Sequence, residues 1–366
     1  MGVSGIRSGS IGRPMIESSS ASAKGTVVPV TTYVDLHRGV SADIEREVRA
    51  TVERMGPSAT AVRSAVTGLL RHREFAYPLP VLPMIVHAAE TGDPGPATPL
   101  AAVHVLWWTS ACHIDDLADG QGTVHVGDLR PDEALLAAVV TGLPLPILAL
   151  RSPRIPEAVR GALTAEVVSG MVAAAEGQLR DLRADVVDAD RERVTTVYRG
   201  KSGAPFAMIT AMAAIMAGAP TERIDRWRAF GDVFGILWQI FNDQEDILSG
   251  RHEDLANGTV TYLLACALQD SSPAQRARLL RAHAAAQTSS STRAEVTAVL
   301  LDASLLRRYE EELVVLRDKA HKLLCELGGD GEYLALLQHM VDEASQMRLE
   351  PMPNNSAPGG SDGQNE

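Results

Sequence analysis

The sequence predicts an all-α fold, one large single-domain helical bundle around a central cavity. Three observations predict it. Apolar positions recur at three- and four-residue spacing along most of the chain, as they do in helices with one buried face. No segment shows the strict alternation expected of a half-buried strand, and there is no internal repeat. Short polar or Gly/Pro connectors punctuate the helical runs.

Taken in order, the helical pattern occupies residues 40–53 and 58–72, and then, after Gly92-Asp93-Pro94-Gly95, residues 98–119. That third run holds a continuous apolar stretch from Ala101 to Ile114, so it should be buried. Residues 131–142 and 156–183 follow; the second ends in Arg180-Asp181-Leu182-Arg183-Ala184-Asp185, which reads as a solvated charged face. Residues 204–218 run to the connector Gly218-Ala219-Pro220-Thr221, and 222–248 carry a second strongly apolar stretch, Phe230 to Phe241. Residues 275–287, 299–327 and 332–347 complete the bundle. The domain is expected at 31–348. Residues 1–30, with Ser18-Ser19-Ser20-Ala21-Ser22-Ala23, and 349–366, with Pro351-Met352-Pro353 and Gly359-Gly360, have the composition of disordered tails.

At 366 residues and 45% hydrophobic content the chain can bury a large core. Its net charge of −12 excludes a nucleic-acid partner, which needs clustered Lys and Arg. No uninterrupted stretch approaches the roughly 20 apolar residues of a membrane span, and the N-terminus shows neither a signal region nor a myristoylation motif. Cys112, Cys266 and Cys325 are scattered and odd in number, as in a reduced, cytoplasmic protein.

The chemistry concentrates in two acidic clusters, Asp115-Asp116-Leu117-Ala118-Asp119 and Asn242-Asp243-Gln244-Glu245-Asp246, each at the end of an apolar helical run. Positions four apart on a helix stack about 5–6 Å from each other, which aligns Asp115 with Asp119 and Asn242 with Asp246. Carboxylates and an amide carbonyl are hard ligands, suited to Mg²⁺ or Mn²⁺. Mg²⁺ takes one or two carboxylates and completes its shell with phosphate oxygens and water, so a phosphorylated substrate is expected between the clusters.

Five segments, in order, make the chain resemble the trans-polyprenyl diphosphate synthases of the class I isoprenoid synthase fold. Asp115 to Asp119 matches the first aspartate-rich motif. Gly177-Gln178-Leu179-Arg180-Asp181-Leu182 resembles a GQxxDL segment, and Tyr198-Arg199-Gly200-Lys201-Ser202 a stretch ending in Lys-Thr. Trp238-Gln239-Ile240-Phe241-Asn242-Asp243-Gln244-Glu245-Asp246 resembles FQIxDDxxD with Asn for its first Asp, and Asp254 to Thr261 resembles DLxxGKxT with Thr259 for Lys. The resemblance implies an allylic prenyl diphosphate substrate, with Asp115, Asp116, Asp119, Asn242, Asp243 and Asp246 around what are expected to be three Mg²⁺ ions. It implies that Lys201, Gln178, Gln239 and Trp238 hold the substrate, and that the protein is a homodimer.

The departures shape the expected reaction. The GKRxRP segment that holds isopentenyl diphosphate in the family is here Leu69-Leu70-Arg71-His72-Arg73-Glu74-Phe75-Ala76-Tyr77-Pro78, and no arginine pair follows Asp119. A second diphosphate lacking Arg or Lys partners would be held poorly. Ionisation of the allylic diphosphate followed by cyclisation to a terpene is therefore the first expectation, and Asn242 leans the same way. Prenyl transfer to another acceptor and chain elongation are the alternatives; elongation would gain if Arg71, Arg73 and Arg130 converged on one pocket. Ser110 and Ala111, small residues just before Asp115, are expected to let the prenyl tail pass, and Trp107 and Trp108 to stop it, for a substrate of fifteen to twenty-five carbons, geranylgeranyl diphosphate being the best guess. His104, His113 and His252 read as structural, and Arg307-Arg308-Tyr309 as surface.

Overall fold

The computed structural model describes residues 32–72, 77–118 and 126–351. Among these, sixteen α-helices are joined by short turns, and the only extended pairing is an isolated bridge between Val126 and Leu129. In chain order they are α1 (Tyr33–Glu53), α2 (Thr60–His72), α3 (Leu82–Thr91), α4 (Thr98–Ala118), α5 (Pro131–Gly142), α6 (Pro144–Ala149), α7 (Glu157–Leu182) and α8 (Arg191–Tyr198). A π-helical turn (Arg199–Gly203) leads into α9 (Ala204–Met216), α10 (Thr221–Leu248), α11 (Glu253–Asn257), α12 (Tyr262–Asp270), α13 (Pro273–Ala286), α14 (Ser290–Leu300), α15 (Ala303–Leu327) and α16 (Gly331–Ala344).

The ten expected helices are present, with shifted ends, and six more stand between them. Helices α3 and α12 escaped the periodicity because they are apolar on nearly all sides, buried from Leu82 to Ala89 and from Tyr262 to Leu268. Helix α1 begins at Tyr33 because Thr32 caps it, accepting from the Asp35 N–H at 3.1 Å. Asp302 sets the start of α15 by accepting from the N–H groups of Ser304 and Leu305. The tail assignments to 1–30 and to 352–366 lie outside the described residues. By length and composition alone, Pro131–Ala149 and Glu157–Leu182 are long and apolar enough to cross a membrane, a test that core helices of bundles also pass.

Helix α10 runs through the middle, with α9 against one side and α15 and α16 against the other, while α4 is enclosed by α1, α5 and α6. Trp227, Phe230 and Phe234 of α10 and Phe206 of α9 are fully buried, and each buried Phe contributes about 1.5–3 kcal/mol. The close approach of α9 depends on glycine: a Cβ on Gly231 would lie 2.4 Å from the Phe206 carbonyl oxygen. Far parts of the chain are tied together by buried polar links. Arg223 pairs with Glu90 at 2.6 Å and donates to the carbonyls of Leu327 and Gly328, and Trp227 Nε1 donates to Glu90. At the other end of α10, the segment after α16 folds back over the helix. The Arg348 N–H donates to Gln244 at 2.9 Å, its guanidinium lies 5.1 Å from the Phe241 ring centre and pairs with Glu245, and Gln244 donates to the Gln346 carbonyl.

Candidate active site

The last turn of α4 brings Asp115 to a junction with α7 and the π-helical turn. Gln178 Nε2 donates to Asp115 Oδ1 at 2.7 Å, and the Lys201 ammonium sits 3.1 Å from Asp115 and 2.9 Å from Asp181. Lys201 reaches this point because Gly177 and Gly200 pack backbone to backbone; a Cβ on Gly177 would lie 2.2 Å from Lys201 N. Burial works against the Lys201 charge, but the Asp115 and Asp181 carboxylates outweigh it and raise its pKa. The lysine is a fixed cation.

The second motif joins this junction from α10. Asp243 is almost fully buried and accepts from Tyr198 OH and from Gln239 Nε2, the latter at 3.0 Å, while Ser202 Oγ donates to Gln239 at 2.6 Å. The Tyr198 hydroxyl in turn accepts from the Tyr262 N–H at 3.0 Å, so one phenol ties α8, α10 and α12 together. Burial pushes the Asp243 carboxyl up to about 7, against the hydrogen bonds from Tyr198 and Gln239 and the attraction of Lys201. Asp254, at the start of α11, is raised well above the usual carboxylate range by burial, with the Asp243 and Asp246 charges adding to it.

Several expected residues therefore meet. Asp115, Gln178, Lys201, Gln239 and Asp243 form one connected region, with Asn242 half-buried beside Asp243 and Asp116 half-buried beside Asp115. Asp119 lies outside the described residues. Asp246 is used differently from a free ligand: its two oxygens accept from the N–H groups of Glu253 and Asp254 at 3.0 and 3.2 Å, capping α11. The preceding turn, with His252 at φ 52°, makes that return possible. Trp238 is packed between Tyr77, Phe234 and Phe241, in the wall behind Gln239.

Ser110 is a correction. Five residues before Asp115 is about 140° around the helix, and Ser110 Oγ donates to the Ala138 carbonyl of α5 at 2.8 Å with Gly142 against it. It is a helix-packing residue, not part of the tail pocket. Ala111 and Trp108 lie within about 40° of Asp115 on α4 and keep partial exposure, whereas Trp107 turns aside and is buried.

Asp181 is the second correction. The solvated-face reading fails because its side chain is only 14% exposed and grips Lys201; its position three residues after Gln178 was the available signal. Tyr198, Ser202 and Asp254 were also missed as site residues. The Arg307-Arg308-Tyr309 reading holds only for the arginines: Arg308 pairs with Asp270 at the surface, but Tyr309 is buried against Tyr262. Arg130 is exposed and paired with Asp132 and Glu133, Arg71 is exposed, and Arg73 lies outside the described residues, so no cationic cradle assembles from them among the described residues.

Residues 136–300 match the family model described as polyprenyl synthetase. The short chain isoprenyl diphosphate synthase of Methanothermobacter thermautotrophicus is 30% identical over 228 residues, 55% of this chain; the match spans 65% of that relative's length, just under two thirds. Among solved structures, a geranylgeranyl pyrophosphate synthetase from Pyrococcus horikoshii superposes with TM-score 0.70 at 20% identity, over 86% of this chain and 99% of that one. A decaprenyl diphosphate synthase from Rhodobacter capsulatus gives 0.70 at 20%, over 85% and 98%. A geranylgeranyl pyrophosphate synthase from Corynebacterium glutamicum, complexed with isoprenyl diphosphate and magnesium, gives 0.70 at 19%, over 85% and 98%. At such identities the structural likeness speaks for the fold alone, the all-α isoprenoid synthase fold. The match to the polyprenyl synthetase model runs through Gln178, Lys201 and the second motif, residues that the fold gathers around Asp115.

Proposed function

We propose that the protein is a divalent-metal-dependent prenyltransferase that ionises an allylic prenyl diphosphate and extends it by isoprenoid units. The observation that carries this reading is the Lys201 ammonium fixed between Asp115 and Asp181, with Gln178 on the same carboxylate and Asp243 within electrostatic range. The names of the relatives, all isoprenyl or prenyl diphosphate synthases, favour elongation over the cyclisation expected first.

The donor set suits a hard cation. Asp115, Asp116 and Asn242 offer oxygen ligands, and Mg²⁺ needs only one or two carboxylates besides phosphate and water. When bound, Mg²⁺ neutralises charge on the leaving diphosphate; three ions is the number the resemblance implies. The protein's own groups do the rest. Lys201 donates to the diphosphate oxygen as the carbon–oxygen bond breaks, and Gln178 and Asp181 keep the ammonium and Asp115 in place before substrate arrives. Asp243, held by Tyr198 and Gln239, orients the second motif.

Cyclisation stands as the second reading, because Asn242 replaces an aspartate and because Arg71 and Arg130 do not gather around a second diphosphate. The substrate length of fifteen to twenty-five carbons belongs to both. The apolar faces of α5 and α7, with Leu136 67% and Val172 66% exposed, support a homodimer; the three cysteines, all free, suit the cytoplasm.

The test is incubation with Mg²⁺ and geranyl, farnesyl or geranylgeranyl diphosphate, with and without isopentenyl diphosphate, analysed by mass spectrometry for longer diphosphates and for hydrocarbons. Longer diphosphates that appear only with isopentenyl diphosphate support elongation. Hydrocarbon alone, whether or not it is added, overturns elongation in favour of the second reading.

A further inference from the structure

The face of α4 that carries Asp115 has a polar group at its far end. His104 lies eleven residues before Asp115, about 16 Å along the axis and about 20° around it, so Asp115, Ala111, Trp108 and His104 form one stripe. The imidazole is stacked on Trp108, with ring centres 5.7 Å apart and planes at 11°, and Phe206 of α9 flanks it at 5.8 Å. Trp108 and Phe206 meet at 5.5 Å, and Phe234 of α10 closes on Phe206 at 5.2 Å. The ring is 5% exposed, and burial alone, with no neighbouring charge or hydrogen bond, sets its ionisation. Burial lowers its pKa to about 4, so it is neutral at physiological pH with its basic nitrogen available.

What distinguishes this position is a base enclosed by aromatic faces at the remote end of the stripe that begins at the diphosphate site. Aromatic faces attract cations. We propose that His104 is a proton acceptor for a carbocation at the far end of the prenyl chain, giving the enzyme an olefin-forming outcome when no acceptor captures the cation at the diphosphate end. The inference rests on the ionisation of an allylic diphosphate proposed above.

The step balances. The carbon–oxygen bond breaks with its electron pair leaving on the diphosphate. The π electrons of a distal double bond then form a carbon–carbon bond to the allylic cation, moving the positive charge toward the tail. An imidazole nitrogen takes a proton from the carbon beside that charge, and the electrons of the broken C–H bond become the new double bond. The imidazolium, flanked by Trp108 and Phe206, returns the proton to water once the products leave. The products are a cyclic olefin and diphosphate, with no net oxidation or reduction.

The full-length protein is incubated with Mg²⁺ and farnesyl or geranylgeranyl diphosphate, without isopentenyl diphosphate. Diphosphate release is followed by a coupled assay and extracts are analysed by gas chromatography and mass spectrometry, for wild type, His104→Phe and His104→Gln. The expected result is an olefin from wild type, reduced by roughly a hundredfold in both variants in favour of alcohols, as for loss of a general base, with diphosphate release changed by no more than about twofold. Substrate deuterated in its terminal methyl groups should shift the olefin ratio for wild type only. Olefin output unchanged in either folded variant overturns the proposal, and so does a wild type that releases diphosphate without any olefin; in both cases ionisation stands. No diphosphate release by wild type with any allylic substrate, with or without isopentenyl diphosphate, overturns the ionisation reading and this proposal together.

Discussion

Replacing Gly177 with alanine should disable the site through a single methyl group. The added Cβ would lie 2.2 Å from Lys201 N, 2.3 Å from Gly200 C and 2.6 Å from Gly200 Cα, all backbone atoms that no rotamer change can move. Ordinary contact begins near 3.4 Å, so α7 and the π-helical turn must separate by about 1 Å. That displacement carries Lys201 away from Asp115 and Asp181, stretching contacts of 3.1 and 2.9 Å to about 4 Å. Overpacking of this kind costs typically about 1–3 kcal/mol, a fall of roughly 5 °C in melting temperature. A misplacement of about 1 Å in a positioning group costs on the order of a hundredfold in rate. The same helix supplies the control, because a Cβ on Gly161 meets nothing within 4 Å, and Gly161→Ala should stabilise by about 0.5–1 kcal/mol from helix propensity alone. The assay is thermal unfolding by circular dichroism alongside Mg²⁺-dependent diphosphate release. Equal melting temperatures and equal rates for Gly177→Ala and Gly161→Ala would refute the reasoning.

Asp181→Asn leaves Lys201 with one carboxylate in place of two, and diphosphate release should fall roughly tenfold as a charge-assisted contact worth about 1.5–3 kcal/mol is lost; single-turnover kinetics reads it. Ser110→Ala should cost about 1 kcal/mol from the lost bond to Ala138 and leave the product's chain length unchanged, whereas Trp108→Ala should alter that length, both read by mass spectrometry. His104 links stability to acid. Its folded-state pKa of about 4 lies below the ordinary 6.5, so the unfolded chain binds a proton that the folded one refuses. The stability is full above pH 6.5 and is lost as pH falls toward 4, by roughly 3 kcal/mol, and urea midpoints for His104→Phe should lack that part of the slope.

The bundle and its two acidic motifs were legible because long apolar periodicity and carboxylates on helix ends are local signals. Asp115, Gln178 and Lys201 came from three separate segments, and resemblance to one family supplied the link that spacing could not. The errors share a physical cause, which is that distance along the chain was read without direction around the helix. Ser110 was counted as five residues from Asp115, yet the turn of α4 points it into α5. Asp181 was grouped with its charged neighbours, although its side chain alone turns inward toward Lys201. The spacing that aligns Asp246 with Asn242 says nothing of a further feature, the reversal at His252 that returns two N–H donors to the Asp246 carboxylate. Such returns depend on the tertiary path. The exposed apolar side chains of α5 and α7 were visible as hydrophobic letters, yet only the assembled bundle reveals that they face outward.

The clasp of residues 345–348 over α10 has a consequence for how the protein is made. Phe241, Gln244 and Glu245 belong to the second motif, yet their covering partners, Gln346 and Arg348, leave the ribosome about a hundred residues later. Glu90 likewise waits for Arg223, and Arg223 for the carbonyl of Leu327. Domains are synthesised from the N-terminus at about 5–20 residues per second, so α10 spends several seconds with an aromatic flank uncovered. Contacts this distant in sequence slow a helical protein relative to bundles built from neighbouring helices. The second motif is among the last parts of the chain to reach its final form, and a nascent chain stalled before Arg348 would hold every motif residue while leaving that flank open to aggregation or to a chaperone.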